Sequence, residues 1–334
     1  MADLTTTYLG LKLSHPVIAG AGPLAKRLDG AQRLADAGAA AIVLHSLFEE
    51  QIRHESRELD HYLNQGTGTF AEAAEYFPDL GHYNVGPEGY LKHVSAVKKG
   101  VKVPVIASLN GVSTAGWVDH ARRIQEAGAD ALELNLYHLA ADPEISGAEI
   151  ERGHVELVTA IVAKVKIPVA VKVSPFFTSL PHFSRQLVKA GAKGIVLFNR
   201  FYQPDFDLET MEVHSNLKLS TSDDLRLPLR WTAIMHGKVA ADLSLTGGVH
   251  RGEDAVKAIA AGAACVQVVS ASLRHGADHL RRIADELGAW LTAHEYESVA
   301  QLTGSMDQRS IANPAAFERA NYMKELASFM DNLR

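Results

Sequence analysis

The sequence predicts an α/β fold, a (β/α)8 TIM barrel, on three observations. The phrase Ala-Gly-Ala occurs four times, as Ala37-Gly38-Ala39, Ala127-Gly128-Ala129, Ala190-Gly191-Ala192 and Ala261-Gly262-Ala263. Each copy runs into an apolar stretch: Ala41-Ile42-Val43-Leu44, Ala131-Leu132-Glu133-Leu134, Ile195-Val196-Leu197 and Cys265-Val266-Gln267-Val268. Glycine takes the left-handed conformation that ends a helix, so each phrase reads as a helix stop followed by a buried strand. A second repeat, Lys102-Val103-Pro104-Val105 and Lys166-Ile167-Pro168-Val169, looks like a strand entry in which a first-position proline forfeits no ladder bond. Finally, the strand candidates number eight, with amphipathic stretches between them, which implies a parallel sheet wrapped in helices. A doubly wound open sheet is the alternative, but no Gly-x-Gly-x-x-Gly follows the first strand.

Taken in order, residues 5–13 alternate around Leu9-Gly10 and predict a small hairpin closing the barrel floor. The eight strands fall at 17–21, 41–45, 104–109, 131–136, 168–173, 195–199, 241–246 and 265–269. Helices are expected over 30–37, 116–127, 153–165, 180–190, 228–239, 253–261 and 270–287. Two segments exceed what a bare barrel needs. Residues 46–101 follow the second strand, with two helical parts and a Gly66-Thr67-Gly68 turn, and residues 200–230 follow the sixth. Loops of that length inside a compact domain are usually functional, and both leave strand C-termini, the face on which barrel active sites lie. Without a linker or low-complexity stretch, residues 1–334 read as one domain.

Composition narrows the function. Of 334 residues, 47% are hydrophobic and 22% charged, the balance of a globular α/β protein. A net charge of -6 argues against a nucleic-acid surface. No window approaches the ~20 apolar residues of a membrane span, and Met1-Ala2-Asp3-Leu4 lacks the basic and apolar regions of a signal peptide. The single cysteine, Cys265, lies in a predicted strand, so no internal disulfide, iron–sulfur cluster or structural zinc is expected, and a cytoplasmic setting is. With no His-x-His on the first strand and no His-Glu-x-x-His, no catalytic metal is expected either.

The strand ends carry the chemistry. Strand one ends Ala19-Gly20-Ala21-Gly22-Pro23, whose bare backbone lets a flat ligand lie close; a plain tight turn is the competing reading. Strand two ends His45-Ser46 and strand three Ser108-Leu109-Asn110. Asn135 and Asn199 end strands four and six, where an amide can both donate to and accept from a ligand, or simply stabilise a turn. Lys172, inside Val171-Lys172-Val173, is the sharpest single residue. It reads as a cation beside a bound anion or as a Schiff-base amine, against a lysine snorkelling out between helices. Thr246-Gly247-Gly248 before a helix, with Ser270-Ala271-Ser272 opening the next, is a phosphate cradle by mechanism or ordinary capping.

Together these strand ends resemble the FMN-dependent dihydroorotate dehydrogenases, in order and over essentially the whole chain. Ala19-Gly20-Ala21-Gly22 is similar to the family's Ala-Ser-Gly flavin contact, and His45-Ser46 falls on its Lys-Ser. Glu133-Leu134-Asn135-Leu136, Val171-Lys172 and Thr246-Gly247-Gly248-Val249 match Glu-Leu-Asn-Leu, Val-Lys and Thr-Gly-Gly-Ile. Gln267-Val268-Val269-Ser270 falls on Gln-Ile-Gly-Thr, and Tyr296-Glu297-Ser298-Val299 is similar to the closing Tyr-x-Ser-Ile helix. The resemblance implies FMN as cofactor, with Gly247, Gly248 and Ser270 at its phosphate and Gly20, Ala21, Gly22, Ser46, Ser108 and Asn135 around it. It places Lys172 at the electron-rich edge of the flavin ring, where a cation helps the redox step. It further implies a CH–CH oxidoreductase of pyrimidine biosynthesis and a homodimer.

The departures are as informative. Where the family continues Ser-Cys-Pro-Asn, with the base among these residues, this chain has Tyr137-His138-Leu139-Ala140. The family's lid is replaced by Tyr83-Asn84-Val85-Gly86-Pro87-Glu88, and the serine or threonine after the sixth-strand asparagine by Arg200. The flavin half is mostly kept and the substrate half mostly rewritten, as in dihydroorotate dehydrogenase-like proteins. His138 is then the candidate base and Tyr137 the second, with Asn135, Asn199 and Arg200 around a small substrate, Arg200 pairing a carboxylate. Two other readings stand beside this one: a flavin-binding protein with lost or altered catalysis that hands electrons to a separate electron-transfer protein, and a flavin-free Schiff-base aldolase using Lys172.

Overall fold

The computed structural model describes residues 2–48, 86–111, 117–201, 203–214, 217–318 and 322. Its centre is a closed parallel barrel in the order β3 (Val17–Ala19), β4 (Ile42–Phe48), β5 (Val105–Asn110), β6 (Ala131–Asn135), β7 (Val169–Val173), β8 (Gly194–Leu197), β11 (Asp242–Thr246) and β12 (Cys265–Val268), with β12 pairing back onto β3. This is the expected (β/α)8 barrel. The glycines of the four Ala-Gly-Ala phrases all have positive φ, 90° at Gly38, 100° at Gly128, 108° at Gly191 and 111° at Gly262. Each ends a helix and hands the chain to a strand, as their shared sequence demands.

The floor is plugged as expected. β1 (Thr6–Tyr8) and β2 (Leu11–Leu13) form an antiparallel hairpin, and Tyr8, Leu9 and Leu13 pack with Ile18, Val43, Ile106, Ala170, Val196 and Cys265 in one apolar cluster. Leu9 N–H donates to Asp242 Oδ2 at 2.7 Å, pinning the plug to the base of β11. Because strand side chains alternate, the next inward residues above this cluster on their strands are Ser108, Glu133, Lys172 and Gln267, and all four are buried. A polar storey thus sits on an apolar one, just below the strand C-termini.

Two of the helices differ most from the sequence reading. The expected helix over 270–287 is two helices, Ser270–His275 and His279–Ala293, because Gly276 takes φ 89° as a helix-ending residue between them. The helix expected from 153 begins at Gly147. Ser146 Oγ accepts from the Glu149 N–H and Glu149 Oε2 accepts from the Ser146 N–H, a capping box that fixes the earlier start. The excursion after β8 contains an exposed hairpin, β9 (Asp205–Asp207) with β10 (Glu212–His214), and a 3-10 turn at Ser222–Leu225. Of the excursion after β4, the helix Pro87–Gly100 is described. The Gly66-Thr67-Gly68 turn and Tyr83-Asn84-Val85 lie outside the described residues.

The helix layer buries one histidine with a consequence for pH. His154 is 4% exposed, packed against Phe177 and Phe183, and its Nδ1 has no partner among the described residues. Burial first, and the charge of His138 second, push its pKa from 6.5 down to about 4. The folded state therefore binds this proton less readily than the unfolded chain, so stability is full above pH 6.5 and falls as pH drops to about 4. The loss is on the order of 3 kcal/mol. Urea midpoints at pH 7 and pH 4.5 should show a shallower acid loss in His154→Leu than in the parent; equal losses would place the acid sensitivity elsewhere.

Candidate active site

The site begins with a register shift. β4 pairs with β5 as Val43↔Ile106 and then Ser46↔Ser108, so one extra residue bulges out of β4 between them. Alternation alone would turn His45 inward after Val43; the bulge turns Ser46 inward instead. His45 lies outside, its ring 5.2 Å from Tyr90 and 5.5 Å from His93, and burial together with the His93 charge lowers its pKa to about 4. The bulge also leaves backbone groups of Ser108 to be satisfied. The buried Tyr90 hydroxyl accepts from the Ser108 N–H at 2.9 Å and donates to the Ser108 carbonyl at 3.0 Å.

Ser46 and Ser108 are 2.8 Å apart through their hydroxyls, and the Asn135 amide donates to both, at 3.0 and 2.8 Å, and to the Leu109 carbonyl at 3.2 Å. The Leu109 carbonyl, which can only accept, fixes which end of the amide is which. The Asn135 Oδ1 remains an acceptor with no partner among the described residues.

Across the interior runs a second chain. Gln267 Nε2 donates to Glu133 Oε2 at 2.6 Å, and Lys172 Nζ donates to Glu133 Oε1 at 3.3 Å. Glu133 is 1% exposed and Lys172 8%, so the lysine is inside the barrel rather than between the helices. Its carboxylate partner makes it a fixed cation, since a buried pair is kept only when both charges are compensated. The Asn199 amide donates to the Lys172 carbonyl at 3.2 Å, tying the end of β8 to β7. Gln267 keeps one buried oxygen, Oε1, without a partner among the described residues.

Gln267 also meets the first strand. A Cβ at Gly20 would fall 3.1 Å from Gln267 Cβ and 2.8 Å from Val269, and one at Gly22 would fall 2.8 Å from Val269. Only glycine fits this approach, while Ala21 packs beside the floor cluster. On the far side of β12, after β11, Gly247 and Gly248 both have positive φ, and no atom of the described residues lies within 4 Å of a Cβ at Gly247. Ser220, buried at 3%, is the residue the sequence concealed. Its Oγ accepts from the Gly248 N–H at 3.4 Å and its N–H donates to Ser270 Oγ at 3.2 Å. The loop after β8 therefore completes the Gly247–Gly248–Ser270 cradle, through contacts 28 and 50 residues apart in sequence that no local pattern could signal.

The remaining expected residues separate. Tyr137 follows Asn135 on the same side of the chain and stacks on Phe201 at 4.9 Å, and Phe176 meets Phe201 edge-on at 5.1 Å. His138, on the other side, is half-buried with its ring 6.2 Å from His154. Arg200 is exposed and donates to the Lys218 carbonyl of its own loop. The structure thus gathers Gly20, Gly22, Ser46, Ser108, Asn135, Lys172, Asn199, Gly247, Gly248 and Ser270 at one rim, adds Ser220, Glu133 and Gln267, and leaves Arg200 outside. Phe176 and Phe201 were also missed; the run Ser174-Pro175-Phe176-Phe177 at a strand end was the available signal.

A family model described as dihydroorotate dehydrogenase matches residues 3–291. The dihydroorotate dehydrogenase B (NAD(+)) catalytic subunit of Thermoplasma acidophilum is 26% identical over 313 residues, 91% of this chain and 99% of the relative. The chloroplastic dihydropyrimidine dehydrogenase (NADP(+)) of Arabidopsis thaliana is 24% identical over 328 residues, 90% of this chain and 76% of the relative. A DHODH of Eimeria tenella, solved in complex with ferulenol, matches with a TM-score of 0.65 at 16% identity, over 90% of this chain and 88% of its own, a likeness of fold.

Proposed function

The chain belongs to the dihydroorotate dehydrogenase family and is an oxidoreductase of that kind, and from this premise we propose that it binds FMN and oxidises or reduces a CH–CH bond of dihydroorotate or a related small ring. The observation that carries the proposal is the buried Gln267–Glu133–Lys172 chain, which runs from the bare backbone at Gly20 to a fixed cation just below the rim. The residues fit the cofactor. Gly247 and Gly248, with Ser220 and Ser270, offer N–H and hydroxyl groups to its phosphate, and the space beside Gly247 is open. Gly20, Ala21 and Gly22 admit a flat ring, Ser46, Ser108 and Asn135 supply polar edges, and Gln267 Oε1 is a buried acceptor still to be satisfied. When bound, the flavin supplies the two-electron acceptor or donor.

The chain's own residues then do the rest. Lys172, held by Glu133, stabilises negative charge at a position fixed before reaction. Tyr137, Phe201 and Phe176 form an aromatic wall against which a flat substrate ring stacks, and the amides of Asn135 and Asn199 address its polar edge. Proton transfer at the substrate carbon falls to Tyr137 on the rim side or His138 beside it.

A separate electron-transfer protein, a homodimer and a cytoplasmic setting belong to the same proposal. The first is supported by a relative named as a catalytic subunit and by a lone buried cysteine, which supplies no set of thiolates for an iron–sulfur relay. No helix among the described residues is long and apolar enough to cross a membrane.

Anaerobic mixing of the purified yellow protein with dihydroorotate, and with dihydrouracil, tests the reading. Bleaching by either assigns the substrate class; a colourless protein that takes up no FMN overturns the cofactor. Tyr137→Phe and His138→Ala should both stay yellow, and the one that removes the base should slow bleaching by roughly 10²–10⁴-fold. A variant that bleaches at the parent rate is cleared of that role.

A further inference from the structure

A cavity of about 600 Å³ opens where the loops after β11 and β12 meet. Arg251, Arg274 and Arg282 line it with His250, His275 and His279. Thr221 and Ser222 complete the wall, and no carboxylate is among the lining residues. Arg282 Nε is paired with Glu286 at 2.8 Å, whereas Arg251 and Arg274 have no carboxylate partner among the described residues.

The cavity is built rather than casual. Asp254, 1% exposed, lies beneath it and accepts from the His250 N–H at 2.9 Å, the Arg251 N–H at 3.1 Å and the Ser222 hydroxyl at 2.7 Å. One buried carboxylate thus ties the loop after β11 to the loop after β8. His279 Nε2 donates to the His250 carbonyl at 2.7 Å, fixing the third side. Burial and then the charge of Arg274 push the His250 pKa down, with Asp254 opposing them, so cationic groups already crowd one another here. Such crowding costs free energy unless an anion relieves it.

The flavin phosphate does not answer this need. Its cradle is Gly247, Gly248, Ser220 and Ser270, and none of these lines the cavity. The two places adjoin, with His250 Nε2 and Ser220 Oγ 3.2 Å apart. A volume of about 600 Å³ is that of a small-molecule site, and guanidinium forks with neighbouring hydroxyls are the groups that grip phosphate oxygens. We propose that this cavity is a second anion site that binds an oligophosphate, free as pyrophosphate or as the phosphate end of a nucleotide.

Calorimetric titration of the purified protein with sodium pyrophosphate, ADP and adenosine tests this, with flavin content read from the visible spectrum of the same samples. Saturable binding of pyrophosphate and ADP, with none of adenosine, is expected. Arg251→Ala/Arg274→Ala should weaken it by about ten-fold or more at unchanged flavin content and unchanged melting temperature. ADP binding far more tightly than pyrophosphate identifies a nucleotide; equal affinities identify the free oligophosphate. Absence of saturable binding, or binding indifferent to the double substitution, overturns the proposal. Loss of flavin in the double variant also overturns it, since the arginines would then serve the cofactor. A protein without flavin can still be titrated, so failure of the cofactor reading is seen separately.

Discussion

Glu133→Ala is expected to lower the unfolding free energy by about 3–5 kcal/mol. The carboxylate it removes is 1% exposed and is the ion-pair partner of Lys172, itself 8% exposed. Alanine would leave that ammonium inside the barrel without a counter-charge and would also release the Gln267 amide, which now donates to Glu133 at 2.6 Å. Both are penalties of burial without a partner, which outweigh the modest net value of the hydrogen bonds themselves. The companion Glu133→Leu/Lys172→Met removes both charges at similar volume and should recover most of the loss, because a buried ion pair is worth little against a packed apolar replacement. Urea unfolding of the single and double variants gives the comparison. A Glu133→Ala loss below ~1 kcal/mol would mean that Lys172 reaches water, and the fixed-cation role would fall with it.

The double variant also divides two functions of the same residues. Folding needs the pair to be jointly present or jointly absent, whereas the proposed chemistry needs Lys172 itself. A folded, yellow double variant with slow flavin bleaching would separate them in one protein.

How far the sequence could be read follows from the range of each interaction. The Ala-Gly-Ala phrases are local: a glycine at positive φ and an apolar run are neighbours in the chain, so Gly38, Gly128, Gly191 and Gly262 gave strand starts directly. Period-two alternation then located Asn135 and Lys172 at inward positions. It failed at β4, because a bulge is a mismatch between two strands and leaves no mark on either alone. That is why His45 and Ser46 could be named together but not told apart. Gly276 was overlooked for the opposite reason: a helix-ending glycine was present, but amphipathic periodicity on both sides concealed the break. Ser220 and Tyr90 lay beyond any local rule, since each acts through a contact made only after the barrel closes. Arg200 shows the same limit, as its position predicted a substrate partner while its guanidinium is used by Lys218.

Gly248→Ala is expected to abolish the proposed FMN binding and destabilise the barrel, while Gly247→Ala should do far less to the protein. The two glycines have nearly the same backbone, φ 83° at Gly248 and 91° at Gly247. For each, an added Cβ in the left-handed region costs roughly 1–2 kcal/mol. They differ in space. A Cβ at Gly248 would fall 2.2 Å from the Leu225 backbone nitrogen and 2.6 Å from its Cα, whereas at Gly247 nothing lies within 4 Å. Backbone cannot swing aside like a side-chain tip, so the Ser222–Leu225 turn must move as a unit. Ser220, two residues before that turn, goes with it, and with Ser220 the hydroxyl that accepts from the Gly248 N–H and the N–H that donates to Ser270. The phosphate cradle is thereby opened from the side of the β8 loop. Melting temperatures and flavin-to-protein ratios of the two variants are the measurement. Equal melting temperatures would show that the approach of Leu225 to Gly248 is not fixed. Because a methyl at Gly247 meets no protein atom within 4 Å, flavin lost by Gly247→Ala with the melting temperature unchanged points to a collision with the ligand, and would put the phosphate in that open space by a route independent of activity.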